Sequence, residues 1–503
     1  MRNALSVAAA LVIFSQALAF AAPCESLASL SLPDATITSA ESVDAGAFAP
    51  PGGAQGRQAA VFKSLAAFCR VALTAKPTSD SDIRIEVWMP ATGWNNNLRG
   101  VGNVGLGGSV DINALAATLR MGYAAVGSDT GHQGDSSYAL NHPEKVIDFG
   151  YRAAHEMTVK AKAIIAAFYG NGPKFSFMEE CGGGTIPALG EAQRYPADYD
   201  GIAISGFGAY KTHHIFSQLW IWQAAHETEA SYIPKEKLAV LHNAVLKQCD
   251  ALDGVTDGLI EDPTRCKFDP GVVECKGADG PECLTAPQVA AARKIYAGPK
   301  NPRTGKQIYS GLYPGSELGW LQLGGPQPLP FAADYYKFFV YRDPNWDAKT
   351  RPVNFDADVA LADKPENLVV NAVNPDLRKF FARGGKLVIY EGWADYTIPP
   401  GGAIDYYKSV EAKAGAKSSK DSMRLFMVPG GAHCGQERTD EFNRLTAIEQ
   451  WVENGKAPDQ IIATRVAEGK PTRTRPLCPY PQVAAYKGSG STDDAANFAC
   501  KMP

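Results

Sequence analysis

The sequence predicts an α/β fold in which a mostly parallel sheet carries helices on both faces and is interrupted by a large insertion. Short apolar strands alternate with amphipathic helices before residue 209 and again after residue 373. Long crossovers between such strands favour parallel pairing. The 503 residues are 45% hydrophobic and 20% charged, which supplies apolar side chains for a sizeable core and excludes a disordered chain.

The first 21 residues are predicted to be an export signal. Arg2 gives a short positive end, the run at 4–20 is apolar, and small residues flank two cleavage points near its end. A membrane anchor is the alternative, but the run is short and no basic segment follows it. We therefore expect the mature chain to be secreted or periplasmic, with no membrane partner.

The core elements follow in order along the chain. Residues 83–88 alternate apolar and polar side chains, as a half-buried strand does. A helix is predicted over 153–169, because its apolar residues fall on one face. Further strands are predicted at 98–101, 123–126, 175–178, 202–204, 387–390 and 425–428.

The pattern and composition of the sequence change between residues 210 and 372. The alternation of strands and helices stops there, and Trp, Tyr, Pro and Gly become frequent. We interpret this segment as a lid inserted into the core, not as a tandem domain. The predicted core is then 22–209 together with 373–503.

Three segments at predicted strand ends suggest a catalytic constellation. The strand at 175–178 runs into a glycine-rich turn at 182–184 and a short helix, the shape of a nucleophile elbow, although no Ser occupies the turn. Asp395 and His433 each follow a later strand. Turn, acid and His in this order are typical of α/β-hydrolase triads. Taken alone, a strand-end Asp is more often a turn or cap residue, and a lone His is more often structural.

The loop at 250–259 is predicted to bind calcium within the lid. Three carboxylates with interleaved glycines can aim oxygen atoms at a hard cation, and without a cation they would repel one another. The spacing is not that of a regular EF-hand, and a surface turn cluster is the alternative. The predicted ligands are the carboxylates of Asp250, Asp253 and Asp257 and the carbonyl groups of Val255 and Leu259.

Taken together, the chain resembles the tannase and feruloyl esterase family of α/β-hydrolases. The resemblance covers nearly the whole mature chain and rests on residues 122–132, 152–156, 192–201, 250–259, 392–395, 398–400 and 431–434. It implies an α/β-hydrolase core and a large lid that holds structural calcium. We expect no organic cofactor.

The ten cysteines are predicted to form five disulfides, since they include no CxxC pair and the chain is expected to be exported. Spacing alone leaves the connectivity open, although short loops make three local pairs plausible. The resemblance implies a bridge between the residue before the nucleophile and the residue after the His. The predicted pairs are Cys181–Cys434 from the resemblance, Cys249–Cys266, Cys275–Cys283 and Cys478–Cys500 from loop length, and Cys24–Cys69 as the remaining pair.

The turn departs from the family pattern at the nucleophile. Where the family has roughly Gly-Cys-Ser-x-Gly-Gly-Arg, residues 180–186 read Glu-Cys-Gly-Gly-Gly-Thr-Ile. The resemblance therefore assigns the nucleophile position to Gly182, which has no side chain to acylate. Glycine can hold the strained backbone of such a turn without steric cost, so the shape of the elbow is expected to persist.

The candidate chemistry is an acid–base pair without a nucleophile. We interpret His433 as the general base, oriented by Asp395, with the backbone N–H groups of Gly183 and Gly105 as the oxyanion hole. The aromatic-rich lid suggests a small phenolic substrate, and the net charge of −4 argues against nucleic acid as a partner.

This constellation favours elimination, isomerisation, cyclisation or C–C cleavage over acyl-enzyme chemistry. One alternative is conventional or water-mediated hydrolysis of aromatic esters of the feruloyl or galloyl type. Another is an inactive homologue that binds an aromatic ligand. A purely structural relict is disfavoured, because the His, the Asp and the bridging cysteines are all present.

Overall fold

The computed structural model describes residues 22–50, 52–53, 55–102, 105–435 and 441–503. The predicted signal at 1–21 lies outside these residues. Helices within them are all too short or too polar to cross a membrane.

A nine-stranded sheet forms the centre of the molecule. Its spatial order is β1-β2-β3-β5-β4-β6-β7-β8-β9, with antiparallel pairing from β1 to β5 and parallel pairing from β5 to β9. The mostly parallel sheet predicted from the sequence is thus confirmed. The strands are β1 (Ala35–Val43), β2 (Phe68–Ala75), β3 (Ile83–Pro90), β4 (Asn97–Val101), β5 (Ala124–Ser128), β6 (Phe175–Cys181), β7 (Gly201–Ser205), β8 (Lys386–Gly392) and β9 (Met423–Val428).

Helices cover both faces of the sheet. Residues that alternate along β6 point to opposite sides, so that Met178 packs with α4 and Phe177 packs with α16. The helices outside the insertion are α1 (Gly56–Lys63), α2 (Ile112–Arg120), α3 (Pro143–Ile147), α4 (Ala153–Tyr169), α5 (Thr185–Arg194), α13 (Arg378–Ala382), α14 (Gly401–Ala414), α15 (Ala416–Ser422) and α16 (Arg444–Asn454).

The segment at 210–372 contributes helices and no strand to the sheet. These helices share a buried apolar cluster that includes Ile215, Trp220 and Tyr335, joined by Phe149 from outside the segment. A core of its own is what an inserted lid requires. The helices are α6 (Lys211–Ala225), α7 (Lys235–Cys249), α8 (Ala286–Ala297), α9 (Leu321–Gly324), α10 (Pro330–Tyr335), α11 (Ala357–Ala362) and α12 (Pro365–Leu368).

Two β-hairpins close the chain after the last sheet strand. They pair β10 (Ile461–Ala467) with β11 (Lys470–Leu477) and β12 (Val483–Tyr486) with β13 (Phe498–Lys501). The second is clamped by Cys478–Cys500. Both approach the predicted calcium loop: Arg473 and Arg475 contact Asp257, and the Ala484 amide donates to Glu261.

All five predicted disulfides are present, and no described cysteine is free. Four of them close local segments of 8 to 45 residues. Cys181–Cys434 instead spans 253 residues and crosses from β6 to the turn after β9. This bridge fixes the two ends of the candidate site relative to each other.

Candidate active site

His433 and Asp395 meet at the carboxyl edge of the sheet. Asp395 lies in the turn after β8 and His433 in the turn after β9, and these two strands are parallel neighbours. His433 Nδ1 lies 2.8 Å from Asp395 Oδ2. The other carboxylate oxygen, Oδ1, accepts the amide protons of Thr397 at 2.8 Å and Ile398 at 2.9 Å. The buried carboxylate is therefore held in one orientation behind the imidazole.

The surroundings of His433 set its basicity. Burial acts to lower the pKa of His433, but the negative charge of Asp395 and its hydrogen bond outweigh burial and raise the pKa above its usual value. A hydrogen bond at Nδ1 also fixes the tautomer, so that Nε2 is the free acceptor of the neutral ring. His433 can thus take a proton at Nε2.

Nε2 of His433 faces the turn between β6 and α5. Gly182 has a φ of +57°, in the left-handed region, and a β-carbon placed on it would lie 3.1 Å from His433 Nε2. This is the strained strand-to-helix turn predicted for an elbow. Thr185 points away from the apex, because its Oγ1 donates to the Gly182 carbonyl oxygen at 2.6 Å and accepts the Gly208 amide proton at 3.0 Å.

The two predicted oxyanion donors lie side by side. A β-carbon on Gly183 would stand 2.3 Å from the Gly105 carbonyl oxygen and 3.1 Å from the Gly105 nitrogen. Glycine at 183 is therefore required by the close approach of the two backbones. Residues 103 and 104 of the same loop lie outside the described residues. The use of the two N–H groups as an oxyanion hole stays a prediction.

The Cys181–Cys434 bridge joins the residue before Gly182 to the residue after His433, with the two Cα atoms 5.8 Å apart. Gly206, in the turn after β7, fills the space beneath it: a β-carbon there would lie 2.8 Å from His433 Cε1 and 3.0 Å from Cys181 Sγ. The imidazole is thus packed between the bridge and the glycine backbone. Its position does not depend on a hydrogen bond to a serine.

Glu391 is a buried neighbour of the pair, without a role assigned from the sequence. It is buried, its Oε2 accepts the Phe207 amide proton at 2.9 Å, and its Oε1 has no hydrogen-bond partner in the described structure. Burial raises the pKa of Glu391 well above its usual value, and the charge of Asp395 raises it further. A charged residue inside an apolar strand was the available signal.

The predicted calcium loop supplies hard oxygen donors. Asp250 is buried and accepts the amide protons of Asp257 at 3.1 Å and Gly258 at 2.9 Å. Burial raises the pKa of Asp253, and the charges of Asp257 and Asp250 add to the effect. A bound cation would relieve the repulsion among these carboxylates, and oxygen donors are the ligands that calcium takes.

Two arginines of β11 reach the same loop. Arg475 contacts the Asp257 carboxylate, and Arg473 Nη1 donates to the Asp257 carbonyl oxygen at 3.1 Å. Their positive charge balances part of the negative charge of the loop. Local sequence does not reveal their contact with the loop, because they lie more than two hundred residues away along the chain. Calcium binding stays a prediction.

Comparisons with known proteins find relatives over most of the chain. The family model described as "Tannase and feruloyl esterase" matches residues 69–501. An uncharacterized esterase of Xanthomonas campestris pv. campestris is 39% identical, and the match covers 95% of this chain and 91% of that protein. A probable feruloyl esterase B-1 of Aspergillus flavus is 32% identical over 86% of each chain.

The same likeness is seen in three dimensions. The crystal structure of feruloyl esterase B from Aspergillus oryzae superposes with a TM-score of 0.85 at 29% identity, covering 95% of this chain and 99% of that one. The shared architecture therefore extends over both the sheet and the inserted segment.

Proposed function

The chain belongs to the tannase and feruloyl esterase family, and from that premise we propose that it hydrolyses carboxylic esters of small phenolic acids by direct attack of water. The observation that carries the proposal is the distance of 3.1 Å between His433 Nε2 and the β-carbon position of Gly182. In the family pattern that this chain resembles, a serine at that position accepts the acyl group. The proposal places a water molecule, held by the base, where that side chain would otherwise stand.

The proposed reaction needs one base and one oxyanion hole. His433 Nε2 takes a proton from water while the water oxygen bonds to the ester carbonyl carbon. The carbonyl oxygen becomes an oxyanion, which the N–H groups of Gly183 and Gly105 stabilise. Asp395 stabilises the imidazolium. The carbon–oxygen bond to the leaving group then breaks, and His433 returns its proton to the departing alkoxide, giving the acid and the alcohol.

Direct attack by water is slower than attack by an activated serine. Enzymes of the triad type that lose a triad member retain about 10³- to 10⁴-fold acceleration over water from the oxyanion hole and binding. We therefore expect slow turnover of alkyl esters and faster turnover of esters with good leaving groups.

Proton-transfer chemistry without hydrolysis, which the sequence favoured, is the second candidate. The dyad and the absent side chain at Gly182 would serve an elimination or an isomerisation equally well. The relatives named as esterases shift the preference to ester hydrolysis. Product analysis separates the two, because hydrolysis alone releases an acid and an alcohol that together contain one added water.

The pH dependence of turnover follows from the base. The unprotonated form of His433 is the active one, and its pKa in the folded protein is raised above the usual 6.5. We expect kcat/KM for methyl ferulate to be level above this raised pKa and to fall as pH drops through it. In Asp395→Asn the charge that raises the pKa is gone, so the acid limb should move to lower pH while kcat falls. An acid limb that does not move in this variant would contradict the assignment.

We also propose that the 250–259 loop holds a structural calcium ion. A ligand that binds only the folded state at 100 times its Kd stabilises that state by about 2.7 kcal/mol. We expect chelation with EGTA to lower the thermal midpoint and added CaCl₂ to restore it. The thermal midpoint of Asp253→Asn should be lower than that of the native protein and should change less on addition of EGTA or CaCl₂. The midpoint of the surface variant Asp421→Asn should change as much as the native midpoint does. A native midpoint unchanged by EGTA would show that Arg473 and Arg475 neutralise the loop unaided.

Export to an oxidising compartment is part of the proposal. Five disulfides in one chain are typical of secreted or periplasmic proteins. The predicted signal at 1–21 supplies the route.

A further inference from the structure

One face of α6 presents three buried polar side chains beside the elbow and the dyad. Lys211, His214 and Gln218 are spaced so that they share one side of the helix. The helix begins shortly after Gly208, whose β-carbon position is 2.4 Å from the Gly182 carbonyl oxygen. One turn beyond His214, Gln218 Nε2 donates to the Thr397 carbonyl oxygen at 2.7 Å, in the turn that holds Asp395. The face therefore borders the proposed active site along its length.

Lys211 is a buried lysine with no anionic partner among the described residues. It is 1% exposed, and within the described part of the chain its Nζ takes part in no ion pair or hydrogen bond. Nζ lies 5.4 Å from the centre of the Phe331 ring, a contact worth little against the loss of hydration. Burial lowers the pKa of Lys211 to about 7. Lys211 is the first residue of α6, so the positive end of the helix dipole further disfavours a positive charge on its buried side chain.

His214 is the second unpaired group on this face. It is 1% exposed, and neither ring nitrogen has a hydrogen-bond partner in the described structure. Burial lowers the pKa of His214, and the charges of Lys211 and His433 lower it further. His214 lies one helical turn after Lys211 on the same face of α6. The neutral imidazole offers one N–H donor on that face.

We propose that Lys211 and His214 form a recognition site for a carboxylate on the substrate, so that the preferred ester is one whose molecule also carries an ionised acid group. A carboxylate accepts from the Lys211 ammonium and from the His214 N–H, which supplies the charge and the hydrogen bonds that both groups lack. The inference rests on the proposed ester hydrolysis for the meaning of the site, but the binding it describes does not require turnover.

The test compares benzoate with benzamide, which share a shape and differ in charge. Calorimetric titration should give native protein a preference for benzoate of about 10-fold or more. Lys211→Met keeps the length of the side chain without the charge. This variant should lose the preference while its affinity for benzamide is unchanged. It should also be as stable as the native protein or more so, because an uncompensated buried charge has been removed.

His433→Ala separates this inference from the proposed function. If the carboxylate binds at Lys211, His433→Ala keeps the preference for benzoate even though it cannot turn over an ester. A preference lost in His433→Ala and kept in Lys211→Met would overturn the inference by placing the anion at the dyad. Equal affinity of native protein for the two probes would also overturn it. Should Lys211→Met fail to fold, His214→Phe provides the second variant, and unchanged benzoate affinity in it would refute the site.

Discussion

Replacing His433 with alanine is expected to lower kcat/KM for methyl ferulate by about 10²- to 10⁴-fold, the range that positioned acid–base groups contribute. The proposed reaction has no other group that takes the proton of the attacking water, since Gly182 carries no side chain. In the proposed reaction the lid and the oxyanion hole bind the substrate and His433 does not, so KM should change much less than kcat.

His142→Ala is the matched control for this loss. His142 is a half-exposed histidine that bonds to Asp80 at 2.7 Å, away from the candidate site. The His142→Ala variant should turn over methyl ferulate at the native rate. If His433→Ala kept the native rate on every aromatic ester that the protein cleaves, the dyad would not be the catalytic group. If neither native protein nor variant turned over such esters while both bound an aromatic acid, a binding role would replace the enzyme.

Replacing Gly182 with serine is expected to raise ester turnover by on the order of 10²-fold or more, because it completes a Ser–His–Asp triad. The backbone already has the φ of +57° that the elbow needs. The new β-carbon would lie 3.1 Å from His433 Nε2, so the imidazole must give way by a few tenths of an ångström. The hydroxyl is then within hydrogen-bond reach of the base. A burst of alcohol release before the steady state would report the acyl-enzyme.

Gly182→Ala is the control, because it adds the same β-carbon and the same backbone strain without a hydroxyl. We expect it to lower turnover below the native level by displacing the attacking water. Equal gains in the serine and alanine variants would mean that the hydroxyl is not the source of the effect. A serine variant that gains nothing, yet folds with the native midpoint, would contradict the elbow geometry.

The sheet and its catalytic edge were predictable from local patterns. Helix α4 begins and ends at the predicted residues, because its apolar side chains repeat with the helical period and Gly170, with a φ of +82°, terminates it. Gly182, Asp395 and His433 each lie in a turn that follows a mainly buried strand. Such a pattern of strand and turn can be recognised without tertiary information. Their parallel pairing then brings the turns to one edge.

The antiparallel end of the sheet was less visible. Strand β1 is an edge strand made of small and polar residues, half of it exposed, so its sequence carries a weak apolar alternation. It is recognised only by its pairing with β2. The hairpins β10–β11 and β12–β13 were missed for a similar reason.

The burial of the groups that complete the site is set by tertiary contacts. Glu391 lies near the end of β8 and Asp395 in the turn that follows, but the sequence does not show that both side chains are buried together. Lys211 and His214 look like ordinary polar residues of a helix until the lid buries them. The arginines at the predicted calcium loop belong to the β10–β11 hairpin. Periodicity cannot report this burial or these loop contacts, since both depend on segments that are distant in the chain.

The mass of the protein during turnover tests whether water attacks the ester directly, because an acyl-enzyme would add the mass of the acyl group. Acid quenching during steady-state hydrolysis of methyl ferulate, followed by intact-protein mass spectrometry, should find the native chain unmodified while ferulate accumulates. Gly182→Ser treated in the same way should carry one feruloyl group, which shows that the method detects the intermediate. A feruloyl adduct on the native chain would contradict direct attack and would identify a nucleophile elsewhere in the site.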